Sequence, residues 1–182
     1  DAVVMAAGSS KKVWELSKAL RHSIISPVPS LFTFNIKDPR IKDLLGISVP
    51  NATVQLEDTN LEASGPLLIT HWGMSGPAIL KLSAFGARVL AKKNYEYQVQ
   101  VDWLSRPTHK IVNVLLNLKK KHSKKQVIVR SPFEEIPKRL WERFVLASKI
   151  KTTFNWADVS HDQIDALANQ LTKSVFTAKG KS

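Results

Sequence analysis

The sequence contains no cysteine, which excludes disulfides, thiolate nucleophiles and thiolate metal sites and fits a reducing compartment, the cytoplasm. No apolar run reaches the roughly 18 residues that would cross a bilayer, and no basic stretch leads into an apolar one as in a secretion signal. No membrane partner is expected, and the glycosylation pattern Asn51-Ala52-Thr53 carries no weight without such a signal. Glycine is scarce, seven residues in 182, and no G-x-G-x-x-G follows a strand, so a phosphate-gripping βα turn is missing. The five histidines form no H-E-x-x-H, which leaves no convincing metal site. Acidic residues are short as well: 15 Asp and Glu face 27 Lys and Arg, for a net charge of +12.

What is present suits a folded chain, since 43% hydrophobic content over 182 residues can bury a substantial core. The pattern changes twice. Val3 to Ala7 followed by Val13, Leu16, Ser17 and Leu20 at helical spacing predicts one strand and one helix of an α/β layer. From Pro27 onward strands dominate. Phe32, Phe34 and Ile36 alternate, as do Ala52, Val54 and Leu56, and Tyr95, Tyr97, Val99, Val101 and Trp103 make the clearest half-buried strand. These predict a small barrel or sandwich. After Pro107 the period turns helical, with Ile111, Val112, Leu115, Leu116 and Leu118 on one face. Ser131-Pro132-Phe133-Glu134 and Ser160-His161-Asp162-Gln163 each carry a helix-start pattern, and Ser174 to Ala178 are expected to return as a strand.

The densest functional signal is Gly65 to Pro77. Leu67 to Thr70 suit a buried strand, Gly73 and Gly76 permit a sharp turn and close approach to another group, and Pro77 suits the first position of a helix. Ser75 or Gly76 would cap that helix, which continues through Ile79, Leu82, Gly86, Val89 and Leu90. A strand, turn and helix N-terminus in this order can hold a phosphate, a carboxylate or a polar ring edge. The same turn can also be no more than a tight connection.

Thr70-His71-x-Gly73-x-Ser75-Gly76-Pro77 resembles the signature of a family of bacterial NAD(P)/FAD-dependent oxidoreductases, the BaiN/RdsA-type or aminoacetone-oxidase-family flavoproteins. Val3 to Ser10, His22 to Leu31 and Pro137 to Trp141 are similar to other parts of it, although Ser9 stands where that family usually has a second glycine. The resemblance implies an α+β fold: a β-barrel-like inserted domain at residues 27–106 and 174–182, a helical subdomain at 107–173, and residues 1–26 as the fringe of an FAD-binding domain. It implies that the chain is a piece of a longer flavoprotein, covering the flavin or a small-molecule substrate and working with the remainder of its own FAD-binding domain. Thr70, His71, Gly73, Ser75 and Gly76, with Ala7 and Gly8 in the fringe, are the cofactor-facing candidates, FAD is the cofactor of the intact parent, and NAD(P)H is a possible reductant.

Other readings compete. The run Lys119 to Lys125 contains no aromatic residue on which a base could stack, so it is read as a solvated linker and not as a nucleic-acid reader. A basic module binding nucleic acid or an acidic protein is the alternative function. Gly73 to Pro77 approaches the G-x-S-x-G nucleophile elbow but ends in Pro, and His109, His122 or His161 could be paired with Ser75 only by assumption. Trp14, Trp72, Trp103, Trp141 and Trp156 are expected to pack, although Trp72 lies inside the turn and could cover a planar ligand.

Overall fold

A computed structural model describes residues 2–182; Asp1, the first residue of the expected fringe, lies outside them. Six antiparallel strands close into a barrel in the order β1-β4-β3-β2-β5-β6. They are β1 (Phe34–Ile36), β2 (Ser48–Leu56), β3 (Glu62–Ile69), β4 (Gly73–Ser75), β5 (Glu96–Asp102) and β6 (Ser174–Lys181). Closure leaves no free edge, because the short β1 pairs with β4 on one side and β6 on the other. Strand alternation sets the inside. Val54, Leu56, Val99, Val101 and Phe34 are fully buried, whereas Thr53, Gln55 and Gln100 face outward.

The helices enter at two places. Between β4 and β5 lie α2 (Pro77–Phe85), which packs on β3, and α3 (Ala87–Lys92), which follows against α2. The single helix expected from Pro77 to Leu90 is broken at Gly86, where a Cβ would stand 3.0 Å from the Leu82 carbonyl and 3.5 Å from Leu61. Between β5 and β6 lie α4 (Thr108–Lys121), α5 (Lys138–Ala147) and α6 (His161–Thr172), with a short 3-10 turn at Trp156–Asp158. Trp103, at the end of β5, joins both units: its ring packs 5.4 Å from Phe144 of α5 and 6.0 Å from Phe176 of β6, and its backbone N–H donates to Leu171 of α6 at 2.9 Å. Barrel and helices therefore share one core running from Phe32 to Ala178.

Ser160 caps α6 as its pattern predicts: its hydroxyl accepts from the Gln163 N–H at 3.2 Å and its own N–H donates to the Gln163 side chain at 3.0 Å. The similar start at Ser131 does not hold. Its hydroxyl closes a local turn with Phe133, and the helix begins only at Lys138, because Pro137 disfavours a helical conformation for Ile136. Lys119–Lys121 are the last turn of α4 and not a linker, and the Lys119 ammonium is anchored on the carbonyls of Ala157 and Val159.

Before the barrel, α1 (Lys11–Ala19) forms as its spacing predicts, but Val3 to Ala7 form no strand. A strand needs a neighbour for its N–H and C=O groups, and residues 2–31 contribute no pairing and no buried residue. Val3, Val4, Leu16, Leu20 and Ile25 stand exposed.

Candidate functional site

The segment read as strand, turn and helix contains a strand that sequence reasoning missed. Thr70 to Gly73 is a hairpin turn, closed by the Thr70 N–H donating to the Gly73 carbonyl at 2.8 Å, and β4 then pairs with both β3 and β1 before α2 begins. Gly73 sits in β4 opposite Asn35 with φ 150°, and a Cβ there would lie 2.3 Å from the Phe34 carbonyl and 2.5 Å from the Ile36 nitrogen. Gly76 caps α2 with φ 92°, and a Cβ would lie 2.7 Å from the Pro66 carbonyl. The close approach that both glycines permit is to the barrel's own backbone. The first turn of α2 likewise abuts β3: a Cβ on Gly65 would meet the Ala78 nitrogen at 3.7 Å.

The motif therefore divides. Thr70, His71 and Gly73 line one wall of a cleft of about 580 Å³, whose other wall is the segment from Ile36 to Leu45. Ser75 and Gly76 lie at the far end of β4 and do not line it, nor do Ala7 and Gly8, which are exposed at the foot of α1. Ile36, Ile41 and Leu45 make the cleft apolar, Lys37 and Lys42 are matched by Asp38 and Asp43 in its lining, and His71 is exposed at the turn tip. The Thr70 hydroxyl oxygen is buried and has no hydrogen-bond partner. An unpartnered buried hydroxyl costs free energy, and this one lies in the wall of an apolar cleft. Trp72 does not pack into the core: it is 61% exposed, with its ring edge-on to His71 at 5.6 Å.

The second wall was not legible in the sequence. Arg40 holds it. Its guanidinium donates to both Asp38 carboxylate oxygens at 2.8 and 2.7 Å, to Gln170 of α6 at 3.0 Å and to the Val175 carbonyl of β6 at 2.6 Å, and lies 3.9 Å over the Phe176 ring. Burial pushes the Asp38 carboxyl up, but the side-chain and backbone hydrogen bonds from Arg40, with its charge, outweigh that and hold it below the usual carboxylate value. Arg139 and Arg143 of α5 fix the same segment from outside through the carbonyls of Asp43 and Lys42. The available signal was local: in Asp38-Pro39-Arg40 the Arg40 N–H donates back to the Asp38 side chain at 2.8 Å, a turn that the residue types favour.

A hydrolytic site is not assembled. The Ser75 hydroxyl meets Thr33 at 3.1 Å, while His109 belongs to a different, polar cleft between the outer face of β2 and β5 and the start of α4. Among the described residues no three His, Cys, Asp or Glu side chains could hold a metal ion. No helix among them is long and apolar enough to cross a membrane.

A closed six-stranded barrel with a block of helices between its last two strands, and a cleft against the β3–β4 hairpin, defines a barrel-plus-helices domain. Residues 28–182 match the family described as the HI0933-like protein barrel and H2TH domain, and the chain belongs to that family. The family is of the BaiN flavoprotein type and is associated with FAD-binding proteins. No curated protein matches the chain.

Proposed function

We propose that this region serves an FAD-dependent oxidoreductase as its barrel-and-helix part, with the cleft at Thr70, His71 and Gly73 facing the flavin ring or the substrate beside it. The observation that carries the reading is the buried, unpartnered Thr70 hydroxyl in the wall of an apolar cleft. Rotation of the Thr70 side chain toward the cleft would let a polar ring edge or a substrate carbonyl satisfy it. The residues present fit a ring and not a pyrophosphate, for no glycine-rich βα turn occurs between Asp1 and Ser182. Contacts to the adenine nucleotide would come from the remainder of an FAD-binding domain, against which residues 2–31 would bury Val3, Val4, Leu16 and Leu20. Ala7 and Gly8 would sit at that junction.

A flavin bound there would supply hydride or electron transfer, drawing on NAD(P)H as reductant, in the cytoplasm. The chain's own residues would do three things. Ile36, Ile41 and Leu45 would exclude water, Thr70 would hydrogen-bond the ring edge or substrate, and Lys37 and Lys42 would offer N–H donors to it from a wall whose charge Asp38 and Asp43 balance. His71 would donate a hydrogen bond from the turn tip, with Trp72 beside it to cover a planar face.

Titration of the isotope-labelled chain with FMN, followed by backbone amide NMR, tests this. The Thr70, His71 and Gly73 amides shift with FMN and stay in place with inorganic phosphate. Shifts confined to other surfaces, or none at the solubility limit of FMN, overturn the proposal. Purified alone, the chain is expected to be colourless, since one wall of a ring site cannot offset the cost of immobilising the whole dinucleotide.

A further inference from the structure

We propose that the helical block carries a docking surface for an acidic protein segment bearing a bulky apolar side chain, independent of the flavin reading. The surface surrounds a cleft of about 600 Å³ between the end of α4 and the turn before α5. Leu118, Val129, Pro132 and Trp156 give it apolar walls, and His122, Lys125 and Arg130 stand among them. Val129 is 54% exposed, a β-branched apolar side chain surrounded by cations with no partner of its own.

The charge here exceeds what folding explains. Lysines in the last turn of α4 complement its dipole, which accounts for Lys119 to Lys121. Lys124, Lys125 and Arg130 lie beyond that helix, and none of them makes an ion pair among the described residues. The backbone at Lys125 and Val127 is braced. The Trp156 N–H donates to the Lys125 carbonyl at 3.0 Å, the Val127 N–H to the Phe154 carbonyl at 3.1 Å, and the Trp141 indole to the Val127 carbonyl at 2.8 Å. A cleft whose backbone is already braced loses little backbone entropy when it is filled.

The same features select among polyanions. Trp156 is only 4% exposed, so it offers no face on which a base could stack. Glu134 stands on the cleft wall, where it would repel a phosphate backbone but could be avoided by a peptide with spaced carboxylates. The apolar floor has no use for a phosphate and suits a leucine-sized anchor ringed by charge pairs, the usual division between anchor and rim at a protein interface.

Fluorescence anisotropy of the 182-residue chain with three labelled probes decides it: an Asp/Glu peptide with one central Leu, the same peptide with Ser for Leu, and single-stranded DNA of matched charge. The leucine peptide binds best, about tenfold tighter than the serine peptide and the DNA. Val129→Asp removes that preference, and Lys125→Glu with Arg130→Glu weakens all three probes and flattens their salt dependence. All three positions are on the surface, and an unchanged melting temperature shows that each variant folds. Equal affinity for the two peptides, tighter binding of DNA, or no binding of the leucine peptide at low salt overturns the proposal.

Discussion

Two halves of one short motif behave differently. Gly73 and Gly76 are fixed by the fold, since a Cβ on either would collide with the backbone of a neighbouring strand. Thr70 and His71, at the turn of the same hairpin, are not: one lines the cleft and keeps a buried hydroxyl without a partner, and the other is exposed at the tip. The barrel tolerates no Cβ at Gly73 or at Gly76, on either side of β4, and asks little of Thr70 and His71 in the turn. A glycine in a functional-looking loop is thus not by itself a mark of ligand approach. An unsatisfied polar atom is a guide only together with a cleft: the Tyr97 hydroxyl and the Trp103 indole N–H are equally buried and unpartnered inside the core, and Thr70 differs from them in lining the cleft.

The contrast is broken most directly at Gly73. Gly73→Ala should destabilise the chain by about 3–5 kcal/mol, combining a forbidden backbone angle with overlap against two backbone atoms that cannot move independently. Denaturant unfolding measures it. A loss below about 1 kcal/mol would mean that β1 and β4 can separate without cost and that the glycine is free to serve a ligand.

Arg40 tests whether the second wall is as firmly built as the first. Arg40→Ala should cost about 2–3 kcal/mol, because it leaves Asp38, Gln170 and the Val175 carbonyl without their shared donor. The pH dependence sharpens this. The Asp38 carboxyl titrates below its ordinary 3.8 in the folded chain, so its contribution is complete above that pH and is lost as pH falls through the depressed folded value. Without Arg40 that part of the acid-induced loss should disappear. Stability curves of the two proteins that stay parallel below pH 3.8 would remove the pair from the account.

Features governed by local pattern were legible in the sequence. Alternation located β1, β2 and β5, and Ser160 with Gln163 marked α6, because period and cap depend on residues within one element. The barrel followed from the family resemblance, since alternation alone left barrel and sandwich open, whereas the helices between β5 and β6 followed from the change of period after Pro107 and the strand expected at Ser174. What escaped was set at a distance. The strand β4 is three residues long and is held by β1 and β3, so no periodicity announces it. The far wall of the cleft depends on Arg40 reaching residues 130 and 135 positions away. Ser131 misled because its cap pattern was read without the second proline, and Val3 to Ala7 misled because a strand pattern needs a strand partner.

The smallest expected effect on stability is the most discriminating. Thr70→Val keeps the shape and removes a hydroxyl that has no partner in the free chain. If that hydroxyl is kept for a ligand, its loss should leave stability unchanged or raise it by up to about 1 kcal/mol, since a buried unsatisfied polar group is replaced by a methyl. His71→Ala, at an exposed turn tip, should stay within about 0.5 kcal/mol of the parent. Both variants should nevertheless lose the FMN-dependent amide shifts at the hairpin. Destabilisation of Thr70→Val by more than about 1 kcal/mol would mean that the hydroxyl already serves the fold, as the glycines do, and the division of the motif would collapse.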